Sequence, residues 1–415
     1  MDRRDQESIA RELALEMAAL PVIDSHEHLP SEEEAVRKQA DVLTRLYCHY
    51  SITSAVTAGL PGDRLALKDT SIPLPERWAR FRPYLDAIRD TGHARAAQLT
   101  ARHLFDVDDI NDDTYIDLSE KLQAGNRPGS YKRILGGCCG IERVLNQGAW
   151  DDGPQGWAVQ VYRGFMGLAG GVHSAWTSWR AEHDAPTGPR EWVTLWLERL
   201  LARGVVGLKF AASLPLECVE NTEAERLFKK LAQEEIELTE GCQLGAWIMH
   251  EAIRQAPAFR LPVAVHCGII WNNWGDFRTL DPLRLIPLIQ KHRNTQFDLY
   301  HGGIPWMREI AVMANQYPNV WLNLVWCHQI SPYMTESMLN EWMDLVPANK
   351  IIGFAGDNCD GPEKTFGVLM MARENIARAL AVRVLRGQMN EERALEITRL
   401  WFHQNPRTLY SLDER

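Results

Sequence analysis

The sequence predicts an α/β protein, a (β/α)8 TIM barrel with a large helical insertion after the first strand. Three observations lead to this fold class. Short apolar segments alternate with helix-forming segments, most clearly in the second half of the chain. Residues that can bind metal recur where those segments end. The 415 residues, 45% of them hydrophobic and 24% charged, have the composition of a globular protein with a sizeable core.

Eight segments have the pattern of buried strands. They are Pro21–His28, Gly140–Leu145, Ala158–Phe165, Gly204–Ala211, Leu261–Cys267, Thr295–His301, Asn319–Val325 and Lys350–Asp357. Long stretches between and after them, such as 218–256 and 391–412, are rich in helix-forming residues. Eight successive βα units are the composition of a single barrel.

The residues between the first and second strands, about 30–137, predict helices separated by Pro and Gly breaks. A strand with potential metal ligands precedes them and should belong to the barrel that follows. We therefore assign residues 1–415 to one barrel domain and expect the insertion to cap the barrel mouth. A separate N-terminal domain is the structural alternative.

Charge and cysteine usage limit the partners and the compartment. A net charge of -10 opposes a nucleic-acid partner. The amino terminus carries acidic residues through its apolar stretch, which predicts an amphipathic helix and not a signal peptide, and no membrane-spanning run follows. Eight cysteines without a CxxC pair or regular spacing predict reduced thiols in the cytoplasm. We expect a small-molecule substrate as the partner and leave a homo-oligomer open.

Five residues at predicted strand ends form a candidate metal site. His26 and His28 lie on the same face of the first strand because side chains alternate along a strand. Alone, the pair would equally suit exposed or core histidines. His266, His301 and Asp357, however, end three further strands, at the edge where barrel active sites lie. Imidazole and carboxylate ligands suit Zn²⁺, with Mn²⁺, Fe²⁺ and Ni²⁺ as alternatives, and favour an open catalytic site over a closed structural one.

Two cationic residues are candidates for binding a substrate carboxylate. Lys209 interrupts the apolar fourth strand; it either points outward or pairs with such a carboxylate, or it is carboxylated and bridges two metals. Arg163 lies at the end of the third strand and is the second candidate, with a solvated or salt-bridged arginine as the alternative.

Aromatic residues follow several predicted strands on the βα loops. They predict an aromatic-lined, substrate-binding mouth, although packing against helices or another subunit would explain them equally well. The residues are Trp271, Trp274, Trp306, Trp326 and His328.

The chain resembles the amidohydrolase superfamily of TIM-barrel metalloenzymes in the order of its candidate ligands along the sequence. That order is the HxH pair, Lys209, His266, His301 and Asp357. The segments FDLYHGG and VPANKIIGFAGD resemble its amidohydrolase-2 branch, and within it the amidohydrolase domain attached to some glutamine-synthetase-like proteins. Uronate isomerases are more distantly similar. The chain departs from the family pattern after Asp357, where Asn-Cys-Asp follows.

The resemblance implies a role for each ligand. His26, His28 and Asp357 would bind a first metal, while His266 and His301 would bind a second metal or orient the substrate. Lys209 would bridge the metals if two bind, so one or two ions per chain are expected.

The predicted function is that of a metal-dependent hydrolase acting on a C–N, C–O or activated C–C bond of a small substrate that carries a carboxylate or an aromatic group. The metal would lower the pKa of a bound water, Asp357 would accept its proton, and His301 or His266 would polarise the carbonyl. The alternatives are a mononuclear decarboxylase or uronate-type isomerase, and a catalytically silent binding module.

Overall fold

Eight strands form one sheet whose strand order follows the chain order, which is the topology of a (β/α)8 barrel and confirms the predicted fold class. The structure is a computed structural model that describes residues 5–61, 64–153, 156–271 and 273–413. The strands are β1 (Val22–Glu27), β2 (Ile141–Asn146), β3 (Ala158–Tyr162), β4 (Gly207–Ala211), β5 (Val263–His266), β6 (Phe297–Leu299), β7 (Val320–Asn323) and β8 (Ile351–Ile352).

Each strand falls at a predicted position, but nearly all are shorter than predicted. The largest difference is at β8, which has two residues where eight were expected, because the chain leaves the sheet before Asp357. Apolar residues extend beyond the strands because the connecting loops are buried as well, with Phe354 and Ala355 almost fully covered.

The chain forms two compact units. The first comprises Met1–Asp151, Ile270–Asp276 and Leu324–Pro406, and the second comprises Asp152–Ile269, Phe277–Asn323 and Arg407–Arg415. The first unit contains β1 and β2, which pair in parallel with Val22 opposite Ile141. In the second unit β3 to β7 pair in parallel in succession, with Leu208 opposite Val263 and Val263 opposite Phe297.

Helices fill the predicted insertion in the first unit. The amino-terminal helix and the insertion helices are α1 (Gln6–Ala18), α2 (Glu32–Arg37), α3 (Val42–Arg45), α4 (Tyr50–Thr57), α5 (Leu74–Ile88), α6 (Gly92–Phe105) and α7 (Tyr115–Gly125), followed by a π-helical segment, Lys132–Cys138. Helices α3 to α7 share an apolar cluster that includes Trp78, Phe81 and Leu118. Arg77 and Asp41 form an ion pair of 2.6 Å inside this region, and both side chains are at most 2% exposed. The first four residues of the amino-terminal helix predicted from the sequence lie outside the described residues.

The second unit contains α8 (His173–Glu182), α9 (Pro189–Ala202), α10 (Asn221–Ala232), α11 (Leu238–Gln255), α12 (Ile286–Lys291) and α13 (Met307–Gln316). Helix α10 shows why these segments pack as they do: it buries Ala224, Leu227, Phe228 and Leu231, a spacing that puts all four on one face.

The chain continues with α14 (Cys327–Ile330), α15 (Pro332–Leu345), α16 (Glu363–Leu385), α17 (Glu391–Arg399) and α18 (Asn405–Leu409). Helix α16 packs on α1 and α6. A Cβ atom on Gly367 would overlap the backbone of Ala96, so glycine permits the close approach of α16 to α6.

Two further expectations concern the whole chain. In the described ranges, no helix has both the length and the hydropathy that a membrane span requires. All eight cysteines are free thiols, as expected from their spacing.

Candidate metal centre

Three predicted ligands meet in the first unit. His26 belongs to β1, His28 follows it, and Asp357 lies on the loop after β8. Oδ1 of Asp357 is 3.3 Å from Nε2 of His26 and 3.6 Å from Nε2 of His28. The side chains of His26 and Asp357 are almost fully buried, whereas that of His28 is 27% exposed.

Backbone hydrogen bonds attach the loop that carries Asp357 to β1. The N–H of Asp357 donates to the carbonyl of His26 at 2.9 Å, and the N–H of His28 donates to the carbonyl of Asn358 at 2.9 Å. Asp357 itself has a left-handed backbone with φ of 52°, which is unfavourable for a residue with a side chain. These bonds hold that conformation and thereby aim the carboxylate at the two imidazoles.

Two buried carboxyl groups of β1 reinforce the same loop. Asp24 accepts the N–H of Gly356 at 3.2 Å, and Glu27 accepts the N–H of Asn358 at 2.5 Å. Burial raises the pKa of Asp24 to about 7 and that of Glu27 well above its usual range, where the neighbouring Asp24 adds to the effect. These shifts reflect the unfavourable free energy of placing two adjacent negative charges in a buried site.

Aromatic side chains pack around this group. The indole N–H of Trp326 donates to the backbone carbonyl of Asp357 at 3.2 Å. The ring of Trp326 meets the edges of His49 and Tyr50 at centroid distances of 5.2 and 4.9 Å. Trp271 stacks on His49 at 5.3 Å. Burial lowers the pKa of His49 to about 4, so this imidazole is neutral at ordinary pH.

A buried lysine lies behind these rings. Nζ of Lys364 is 3.5 Å from Nδ1 of His93, and the His93 ring stacks on Tyr50 at 4.9 Å. Burial lowers the pKa of both Lys364 and His93, and the charge of Lys364 lowers the pKa of His93 further. The hydroxyl of Tyr50 is buried and has no hydrogen bond within the described part of the chain.

The three ligand atoms fit a divalent metal. They lie within 4.8 Å of one another. Ligands at about 2.1 Å from a tetrahedral ion lie about 3.4 Å apart, close to the observed distances from Asp357 to the two histidines. Oδ1 of Asp357 is buried and, among the described residues, accepts no hydrogen bond. A cation would therefore satisfy an oxygen that is otherwise costly to bury.

Two other predicted ligands meet in the second unit. Nε2 of His301 lies 2.9 Å from Nδ1 of His266, and Nε2 of His266 lies 2.9 Å from the carbonyl of Ile269. Because a carbonyl only accepts, His266 carries its proton on Nε2 and turns the lone pair of Nδ1 toward His301. Donation of the second ring N–H to a backbone carbonyl is the usual arrangement of a metal-binding histidine.

Lys209, the last predicted ligand, is also buried in the second unit. Its Nζ lies 3.7 Å from the centroid of the Tyr300 ring. The hydroxyl of Tyr300 is 3.2 Å from that of Tyr410, which donates to Asp298 at 2.7 Å. Burial raises the pKa of Asp298 to about 6, an effect that Lys209 partly offsets.

The predicted substrate-binding residues occupy different environments. Arg163 is exposed, Trp274 is fully exposed, and Trp306 is half-buried beside Phe277 at 5.9 Å. His328 is buried, and its Nε2 bonds to the carbonyl of Gly353 at 2.8 Å, so this imidazole holds the fold of its own unit. The roles predicted for these residues stay predictions.

Sequence reasoning overlooked Asp24, Glu27, His49, Tyr50 and Lys364. The signal for the first two was present, because acidic residues are rare in a buried strand unless they have partners. The other three lie outside the strands, on segments where no periodic pattern marks a residue that will face the ligands.

The fold and this centre together define a barrel protein with an open His-His-Asp group, an arrangement found in metal-dependent enzymes. The family model described as amidohydrolase matches residues 183–412, more than half of the chain. The chain therefore belongs to the amidohydrolase family, as its resemblance predicted.

Individual relatives share low sequence identity with this chain. Protein fluG from Emericella nidulans is 24% identical over 230 residues, which is 51% of this chain and 26% of fluG. A uronate isomerase from Nostoc punctiforme is 26% identical over 218 residues, 47% of this chain and 45% of the isomerase. The match thus spans less than half the length of either relative. The solved structure of glucuronate isomerase from Caulobacter crescentus has a TM-score of 0.78 at 18% identity, covering 100% of this chain and 96% of that one, which shows the shared fold.

Proposed function

We propose that the chain is a metal-dependent hydrolase that cleaves a C–N, C–O or activated C–C bond of a small substrate bearing a carboxylate or an aromatic group. The observation that carries the proposal is the convergence of His26, His28 and Asp357, with distances that suit a divalent ion. Three protein ligands leave positions for water and substrate, as in catalytic zinc sites. We propose Zn²⁺, with Mn²⁺, Fe²⁺ and Ni²⁺ as alternatives.

The bound ion would supply Lewis acidity and lower the pKa of a coordinated water. The chain's own residues would do the rest. Asp357 would accept the proton of the attacking water, because a carboxylate that holds the ion through Oδ1 lies beside the water that the ion binds. The Tyr50 hydroxyl, which is buried and has no hydrogen bond to the described residues, would donate to a substrate oxygen. Trp271 and Trp326 would exclude water around His49.

The predicted roles of Lys209, His266 and His301 form a separate part of the proposal. The facing nitrogens of the two histidines support a ligand role, because the same atoms that share a hydrogen bond are placed to bind a cation. Metal equivalents per chain in His301→Ala and Lys209→Ala proteins test that role. A normal metal content in both would assign these residues to substrate binding or to the fold.

An isomerase of sugar acids is the second candidate. It is favoured by the sequence similarity to a uronate isomerase and by the full-length structural similarity to a glucuronate isomerase. For both candidates we propose a reducing compartment such as the cytoplasm, which suits eight free cysteines.

Product mass separates the reaction classes. The metal-loaded protein would be incubated with N-acyl amides, esters and lactones in ¹⁸O-labelled water, and separately with uronates in ordinary water, because the carbonyl oxygen of a sugar exchanges with the solvent. Hydrolysis adds one labelled water across the cleaved bond, isomerisation leaves the mass unchanged, and decarboxylation removes CO2. An Asp357→Asn protein is the inactive reference, and a His103→Gln protein, altered at an exposed histidine, is the matched control. Turnover of uronates alone, without loss or gain of mass, would contradict the hydrolase proposal.

A further inference from the structure

A pocket of about 860 Å³ lies in the second unit, among the end of β3, the segment Gly164–Gly170, α8 and α9. None of the predicted metal ligands lines it. Its volume is within the range of about 300–1,000 Å³ that is typical of sites for small molecules.

The pocket has aromatic walls, contributed by Tyr162, Trp179 and Trp196. Trp179 is held by a hydrogen bond of 3.2 Å from its indole N–H to the carbonyl of Asp184. Trp196 packs between Phe165, at 4.6 Å, and Trp192, on which it stacks at 5.7 Å. The rings are therefore fixed in place by packing before any ligand arrives.

Two arginines add positive charge to these walls. The guanidinium of Arg199 lies over the Trp179 ring, with Cζ at 4.2 Å from the ring centroid, and Arg203 lies one helical turn further along. Nη1 of Arg199 is buried and donates no hydrogen bond to any described residue. Neither arginine forms an ion pair with a described carboxylate, and the lining Glu182 is 77% exposed and lies 3.7 Å from His183.

We propose that this pocket binds a small planar carboxylate, such as an aromatic acid. A guanidinium that stacks on an indole keeps its N–H edge free for a carboxylate, which it binds through two parallel hydrogen bonds. The carboxylate would also satisfy Nη1 of Arg199, since an unmade hydrogen bond of a buried charged donor is unfavourable. The planar part of the ligand would lie against Trp179 or Trp196.

The test is calorimetric titration of the metal-loaded protein with 2-naphthoate, beside naphthalene-2-carboxamide, which has the same ring without the charge. One saturable site is expected for the acid. The amide should bind at least about tenfold more weakly than the acid, because charge-assisted hydrogen bonds contribute about 1.5–3 kcal/mol. Equal affinity for acid and amide would overturn the proposal, and so would the absence of saturable binding.

Variants locate the binding. Arg199→Met should weaken naphthoate binding about tenfold or more, and the matched control Arg226→Met, at an arginine that is 49% exposed on α10, should leave it unchanged. A His28→Ala protein should also bind naphthoate normally, and loss of binding there would place the ligand at the metal centre and overturn the proposal. Sedimentation of the unliganded protein provides the last test, since a dimer that dissociates in the Arg199→Met protein would show that a second copy of the chain covers the pocket.

Discussion

Adding one methyl group at Gly148 should disturb the metal centre while leaving the side chains of all its ligands unaltered. Gly148 follows β2, next to the backbone that carries His28. A Cβ atom there would lie 2.6 Å from both the carbonyl carbon and the oxygen of His28, where ordinary contacts exceed 3.4 Å. The obstacle is backbone, so it has to move by about 1 Å, and overpacking of this kind costs about 1–3 kcal/mol.

The Gly148→Ala protein should therefore unfold in urea with a free energy lower by about 1–3 kcal/mol in the absence of metal. Its zinc affinity, measured by competition with a chromogenic chelator, should fall by about tenfold or more, since the ligand atoms leave their productive distances. Gly170→Ala is the matched control, because a Cβ atom there meets nothing within 4 Å. Zinc affinity equal to that of the unaltered protein would refute the geometric reasoning.

Three further perturbations follow from individual side chains. Asp357→Asn should lower kcat by about 100-fold or more while some metal stays bound, and full activity with full metal content would exclude Asp357 as proton acceptor. His328 has a pKa lowered by burial to about 4, so its neutral form stabilises the fold above the unfolded pKa of about 6.5, and this contribution is lost as pH falls toward 4. Between pH 7 and 5 this loss amounts to about 2 kcal/mol. The unfolding free energy of the His328→Gln protein should therefore change by about 2 kcal/mol less over this range than that of the unaltered protein. The His103→Gln protein, altered at an exposed histidine, should show the same pH dependence as the unaltered protein. Arg77→Met should lower stability by about 3–5 kcal/mol in urea unfolding because buried Asp41 loses its cation, and a change below about 1 kcal/mol would contradict that.

The fold could be predicted from the sequence because local residue patterns mark its strands and helices. Segments such as Val263–His266 are short and apolar, and each is followed by a helix with one apolar face, so both the strands and their parallel order follow from alternation. Helices α5, α6 and α7 were likewise predicted, since Pro and Gly mark their limits.

The candidate site was predictable only in part. His26, His28 and Asp357 were predicted because each follows or ends an apolar segment, and strand ends meet at one edge of a parallel sheet. The left-handed backbone of Asp357 and its attachment to Asp24 and Glu27 depend on contacts between segments more than 320 residues apart in sequence, which no local pattern encodes.

The hydrogen bonds of buried polar groups were also not predicted from the sequence. His328 follows a predicted strand, and in the structure its imidazole is buried and bonds to the carbonyl of Gly353 inside the first unit, a contact that no local sequence pattern predicts.

The most direct test of the central claim is the number of divalent metal ions per chain, measured by elemental mass spectrometry on protein purified without chelators, beside His26→Ala protein. The proposed centre predicts at least one equivalent in the unaltered protein and a loss of that equivalent in the variant. Less than a tenth of an equivalent in protein supplied with zinc, or equal content in the two proteins, would contradict the assignment of His26, His28 and Asp357 as metal ligands.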